Sequence, residues 1–178
     1  CLENNLTMLG NSDMHDPVGM VWEPEGSNRR PVTLVFAREA TQEAVKEALV
    51  ARRTAVLAQG MLIGREAQVK PVFEASIKVL NPSVRIQGKQ AVNVQIENLS
   101  DVDYELVADG GLEEVSVPSR LTLKGGCTVI MQLRGKSDTL EGRRTLAVPY
   151  VVQNIKVTPD EGLKVRIPLE VALAPAKK

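Results

Sequence analysis

Aromatic residues are nearly missing from this chain: one Trp, two Tyr and two Phe among 178 residues. A core must therefore be assembled from Val, Leu, Ile, Ala and Met, and the stacking platforms that hold single-stranded nucleic acid have few candidates. Charge of one sign is missing too. Lys plus Arg number 22 and Asp plus Glu number 22, so no overall field draws the chain to nucleic acid or to an anionic membrane surface. Cysteine is limited to Cys1 and Cys127, which form neither a Cys-x-x-Cys pair nor a zinc-ligand run and set no disulfide framework. No apolar run approaches the roughly 18 residues that a membrane span requires. The start, Cys1-Leu2-Glu3-Asn4-Asn5, has neither the basic nor the apolar region of a signal peptide and no initiator Met. It reads as the interior of a longer protein, whose compartment these residues leave open. Histidine is the last scarcity, with His15 the only one.

What is present falls into two kinds of pattern. The first 70 or so residues have α/β grammar. Leu6-Thr7-Met8-Leu9 is a short apolar run stopped by Gly10 and suits a buried parallel strand. Pro17, Gly19, Pro24 and Gly26 make the following stretch a loop. A second strand is expected over Val32–Ala37, then a helix with Thr41 as N-cap, Glu43 in its first turn and Val45, Ala48 and Leu49 on one face. Arg52 and Arg53 would close that helix, and Thr54-Ala55-Val56-Leu57 would return as a strand. These strands are too few to close a sheet or barrel. The stretch from Gln59 to Pro71, interrupted by Gly60, Gly64 and Pro71, reads as a junction.

Beyond it the apolar period becomes two. Val92, Val94 and Ile96 alternate with polar neighbours, as do Val129, Met131 and Leu133, and again Leu163, Val165, Ile167, Leu169 and Val171. Further short strands are expected near residues 77–79, 84–86, 104–108, 115–117, 121–123 and 146–151, with turns at Asn98 to Asp103, Gly110-Gly111, Gly125-Gly126 and Asp160-Glu161-Gly162. Short strands so spaced predict an immunoglobulin-like sandwich, and Pro168 in the last strand calls for an edge or a bulge.

The chemistry concentrates in Gly10-Asn11-Ser12-Asp13-Met14-His15-Asp16-Pro17, directly after the first apolar run. Strand ends face the ligand crevice in α/β domains. In an extended segment Asp13 and His15 point to the same side, and a carboxylate with an imidazole suits divalent Zn, Mn or Fe. The same pair also fits a turn-capping Asp beside a His that satisfies a backbone group. Arg29 and Arg30, after the loop, carry planar guanidinium groups suited to bidentate phosphate contact, or to a solvated loop.

That motif resembles the last metal-binding motif of the PHP (polymerase and histidinol phosphatase) superfamily of phosphoesterases. Arg29 to Glu39, Thr41 to Leu49 and Ala51 to Val56 are similar to the family's terminal strand, helix and strand. Gly64-Arg65-Glu66 and the stretch from Val157 to Leu169 resemble a bacterial subgroup that appends a sandwich to the catalytic barrel. The resemblance implies an α+β fold: residues 1–70 as the incomplete C-terminal portion of a (β/α) PHP barrel, and residues 71–178 as an immunoglobulin-like accessory sandwich. It also implies that Asp13 and His15 are the final ligands of a divalent metal cluster that hydrolyses a phosphoester, with Arg29 and Arg30 placed for substrate. The His-x-His pair and the other ligands of that cluster have no counterpart here, so no catalytic residue is assigned, the piece by itself is expected to be inactive and metal-free, and its open barrel edge is available to a second copy. The other reading is a non-enzymatic sandwich that binds a partner protein or a carbohydrate.

Overall fold

A computed structural model describes residues 1–2, 4–12, 15 and 30–176. It divides into two compact units, Cys1–Glu74 with Asn154–Leu163, and Ala75–Gln153 with Lys164–Lys178.

In the first unit, β1 (Val32–Val35), β2 (Thr54–Ala58) and β3 (Met61–Gly64) form an antiparallel meander, with Thr33 opposite Val56 and Val56 opposite Ile63. The end of β11 (Gly142–Lys156) adds beside β3 in parallel, Ile155 opposite Leu62. Helix α1 (Gln42–Val50) starts where the sequence predicts: the Thr41 hydroxyl accepts from the Ala44 N–H, filling one of the donors a helix start leaves open. It joins two adjacent antiparallel strands, so no parallel β-α-β step forms between β1 and β2. The two arginines expected to close it do other work. Arg52 takes a left-handed conformation (φ 61), while Arg53 pairs with Glu47 and donates from Nε to the Phe36 carbonyl.

Two further expectations are corrected. Residues 6–10 are extended without being a strand, because among the described residues their backbone bonds run mainly to threonine hydroxyls and not to a neighbouring ladder. The stretch from Gln59 to Pro71 is regular throughout: Gln59 (φ 51) and Gly60 (φ 73) form a tight hairpin turn, β3 follows, and α2 (Glu66–Ser76) contains Pro71. Burial of Val69 and Phe73 outweighs the one helical hydrogen bond that Pro71 gives up. Gly64 is required there, because a Cβ would stand 2.6 Å from Val69 Cγ1 and 2.9 Å from Ala55 Cβ.

The second unit is the predicted sandwich. One sheet runs β4 (Ile77–Val79), β6 (Ala91–Asn98), β10 (Thr128–Gly135), β8 (Val115–Ser116); the other runs β5 (Ser83–Gln87), β12 (Gly162–Ala174), β11, β7 (Tyr104–Ala108), β9 (Arg120–Leu123). The period-two residues point inward as expected: Val94, Ile96, Met131, Leu133, Leu106, Val148, Ile167 and Leu169 are all buried. Each contributes about 1.5–3 kcal/mol on leaving water. Pro168 is accommodated by register. Glu170 donates its N–H to Pro82 O at the start of β5, so the position two residues earlier faces the same side, beyond the end of β5, where no donor is wanted. No helix among the described residues is long and apolar enough to cross a membrane.

Candidate functional site

The approach to the Gly10–Asp16 motif is built on one face of the first unit's sheet. The register sets Thr33, Val35, Thr54 and Val56 on a common face, and the extended segment lies across it. The Met8 N–H donates to Thr54 Oγ1 (3.3 Å), the Gly10 N–H donates to Thr33 Oγ1 (2.9 Å), and the Thr33 hydroxyl donates back to Gly10 O (3.2 Å). Within the same segment, Thr7 Oγ1 donates to Leu49 O at the C-terminal end of α1 (2.9 Å). Met8 is buried, while Leu6 and Leu9 are 55% and 59% exposed. Gly10 is needed because a Cβ would lie 2.4 Å from Val56 Cγ1. Side-chain hydroxyls thus substitute for a neighbouring strand and hold the segment extended up to the motif.

Arg65 closes the arrangement from the other end. Its Nη2 donates to Asn5 Oδ1 and Leu6 O, and its Nη1 to Arg52 O, each at 3.0 Å. Sequence reasoning gave Thr33, Thr54 and Arg65 no positioning role. A signal was there: Thr33 and Thr54 are the polar residues within otherwise apolar strands, and Arg65 sits in the Gly-Arg-Glu triplet already singled out.

Of the predicted site residues, His15 and Arg30 are exposed at the surface, while Asp13 and Arg29 lie outside the described residues. Among the described residues no group of three or more His, Cys, Asp or Glu side chains could hold a metal ion. One carboxylate and one imidazole are metal donors of suitable type for Zn, Mn or Fe, but two donors leave a four- to six-coordinate sphere open.

Three comparisons bear on this geometry. The profile of the DUF5001 family, an Ig-like domain, matches residues 77–168. The chain is similar to the crystal structure of a two-domain protein from Bacteroides vulgatus that contains a predicted PHP-like metal-dependent phosphoesterase. The identity is 34%, the TM-score 0.81, and the match covers 95% of this chain and 47% of the other, so this chain spans about half of that protein. A protein of unknown function from Porphyromonas gingivalis aligns at 16% identity and a TM-score of 0.35 over 55% of this chain and 46% of that one, which is too distant to carry an argument. Among curated proteins nothing matches.

Proposed function

The chain belongs to the Ig-like domain family DUF5001, and we propose that it is the sandwich-bearing portion of a bacterial metal-dependent phosphoesterase. In this reading residues 1–70 are the C-terminal portion of the PHP-type catalytic domain and residues 71–178 its accessory sandwich. Asp13 and His15 supply two ligands to a divalent metal cluster, and the remaining ligands come from parts of the parent outside this chain. Arg29 and Arg30 stand by the substrate phosphate. Bound metal would lower the pKa of a coordinated water and neutralise charge on the phosphoryl oxygens. The chain's own contribution is positional: Thr33, Thr54 and Arg65 hold the extended segment that ends at the motif, and a guanidinium offers two parallel donors to a phosphate.

The observation that carries the proposal is similarity over nearly the whole chain, first unit included, to a protein that contains a predicted PHP-like phosphoesterase. The first unit would have no reason to match if only a free-standing sandwich were shared. The alternative of a carbohydrate-binding module built on aromatic stacking has little to draw on in the second unit, because its aromatic residues, Tyr104 and Tyr150, are 1% and 0% exposed. The test is hydrolysis of a chromogenic phosphoester by the intact parent protein. Phosphate release that is abolished by a chelator and restored by Zn, Mn or Fe is expected; no divalent-dependent release from mono- or diesters would overturn the reading.

A further inference from the structure

The outer face of the larger sheet in the second unit carries a groove of about 510 Å³, a mostly apolar floor edged by Ser83, Arg85, Arg143 and Glu170, that the proposed phosphoesterase chemistry does not use. Register determines which side chains line it. Ser83 lies opposite Glu170 and Arg85 opposite Ala172 in the parallel pairing of β5 with β12, and all four are on the side away from the core. On the other flank of β12, Thr145 Oγ1 donates to Glu170 Oε1 at 2.8 Å, which puts Thr145, and with it Arg143 two residues earlier on β11, on that same face. The result is a small floor at Ala172 with an arginine on either side, next to a carboxylate held by a threonine hydroxyl. With strands about 4.8 Å apart, the two arginines rise from backbone positions roughly 10 Å apart, which matches the span of an oxyanion gripped from both sides.

Among the described residues Arg53 is matched with Glu47, Lys70 with Glu66 and Lys89 with Asp138, while other strand arginines such as Arg120 and Arg134 face solvent without an ion pair. Among the described residues the Arg85 and Arg143 guanidinium groups donate no hydrogen bond and make no ion pair, although Glu170 lines the same groove. Glu170 is turned to Thr145 instead. Two unneutralised planar donors, a serine hydroxyl, and a carboxylate fixed by one hydrogen bond with lone pairs to spare are complementary to a ligand that carries both an anionic group and neighbouring hydroxyls.

We propose that this groove is a binding site for a hydroxylated anion, an acidic sugar whose carboxylate or phosphate lies over Ala172 between Arg85 and Arg143 while a ring hydroxyl donates to Glu170. All of its lining residues belong to the second unit, and the proposal does not depend on the phosphoesterase reading. It needs no aromatic platform, in keeping with the buried tyrosines of this unit.

The test is calorimetry or ligand-observed NMR on the full chain with glucuronate, glucose 6-phosphate, inorganic phosphate and glucose. Binding of glucuronate or glucose 6-phosphate in the millimolar range or tighter is expected, and whichever of the two binds better identifies the anionic group. The Arg85→Ala and Arg143→Ala variants should each weaken it at least tenfold, and Glu170→Gln should weaken the sugars while leaving inorganic phosphate unchanged. All three residues are exposed on the sheet surface, so the variants are expected to keep the fold, which circular dichroism checks. No binding of either acidic sugar overturns the proposal. So does phosphate binding as well as glucose 6-phosphate, which removes the role of Glu170, or binding that survives loss of both arginines.

Discussion

Among the described residues Asn98 is one of two polar residues that are fully buried, and every hydrogen-bonding position of its side chain is used. Its Nδ2 donates to Val102 O (2.8 Å) and Leu123 O (2.9 Å), and its Oδ1 accepts from the Ser100 N–H (3.0 Å) and Oγ (2.8 Å). One amide thereby ties the end of β6 to the turn that follows and to β9. Asn98→Ala leaves the buried Leu123 carbonyl without this donor, at a cost of about 1–3 kcal/mol, and removes the bonds to the part-buried Val102 O and Ser100 N–H. A loss of about 2–4 kcal/mol is expected in urea denaturation. A variant within 0.5 kcal/mol of the parent chain would show that the turn is held by something else. Tyr150 gives a pH prediction. Its hydroxyl donates to Pro118 O (2.9 Å), and burial pushes its pKa up to about 12 from an ordinary value of 10.0. Because the folded pKa is the higher one, this contribution is fully present below pH 10, where both states hold the proton. Between pH 10 and about 12 the unfolded chain ionises first, so stability falls as pH rises. Absorbance titration should show one phenol ionising only near that upper limit, and Tyr150→Phe should abolish the late step.

Among elements, those of period two were the ones the sequence displayed most clearly. Strands β6, β10 and β12 each alternate one buried and one solvent-facing residue, and that alternation is written directly in Val92 to Ile96, Val129 to Leu133 and Leu163 to Val171. The length of β11 was not seen. Its buried residues are Leu146, Val148, Tyr150 and Val152, then Ile155, so the phase slips by one residue at Gln153–Asn154, and an alternation template stops there although the strand does not. The 6–10 segment failed for a different reason. Its apolar composition does favour an extended chain, but a strand needs a partner edge, which no local pattern reveals. In α2, a Pro was read as a breaker because propensity was weighed without the burial of Val69 and Phe73 that opposes it. Of the candidate site, residue types were legible and their support was not, since Thr33 and Arg65 act through contacts 23 and 59 residues away in sequence. The two sheets of the sandwich also meet at a place where no side chain fits. A Cβ on Gly135 would stand 2.0 Å from Gly88 O, a backbone atom that cannot rotate away. Gly135→Ala is expected to cost about 1–3 kcal/mol through forced separation of β10 from that turn. Thermal unfolding at an unchanged midpoint would contradict it.

At the scale of the whole molecule, the second unit has a core closed between two sheets, and the chain belongs to an Ig-like family. Both units keep single apolar side chains at the surface, Leu6 and Leu9 in the first and Leu99 and Ile130 in the second, as folded chains ordinarily do. The chain spans 47% of a protein that contains a predicted PHP-like phosphoesterase, and under the proposed function the further metal ligands come from the rest of such a parent. The decisive measurement is the bound-metal stoichiometry of the intact parent by elemental analysis, comparing the native sequence with Asp13→Ala combined with His15→Ala. The account predicts that divalent metal is bound by the native protein and that the double variant loses a large part of it while keeping its fold. Metal content unaltered in the double variant would contradict the account, because it would remove these two side chains from the metal centre altogether.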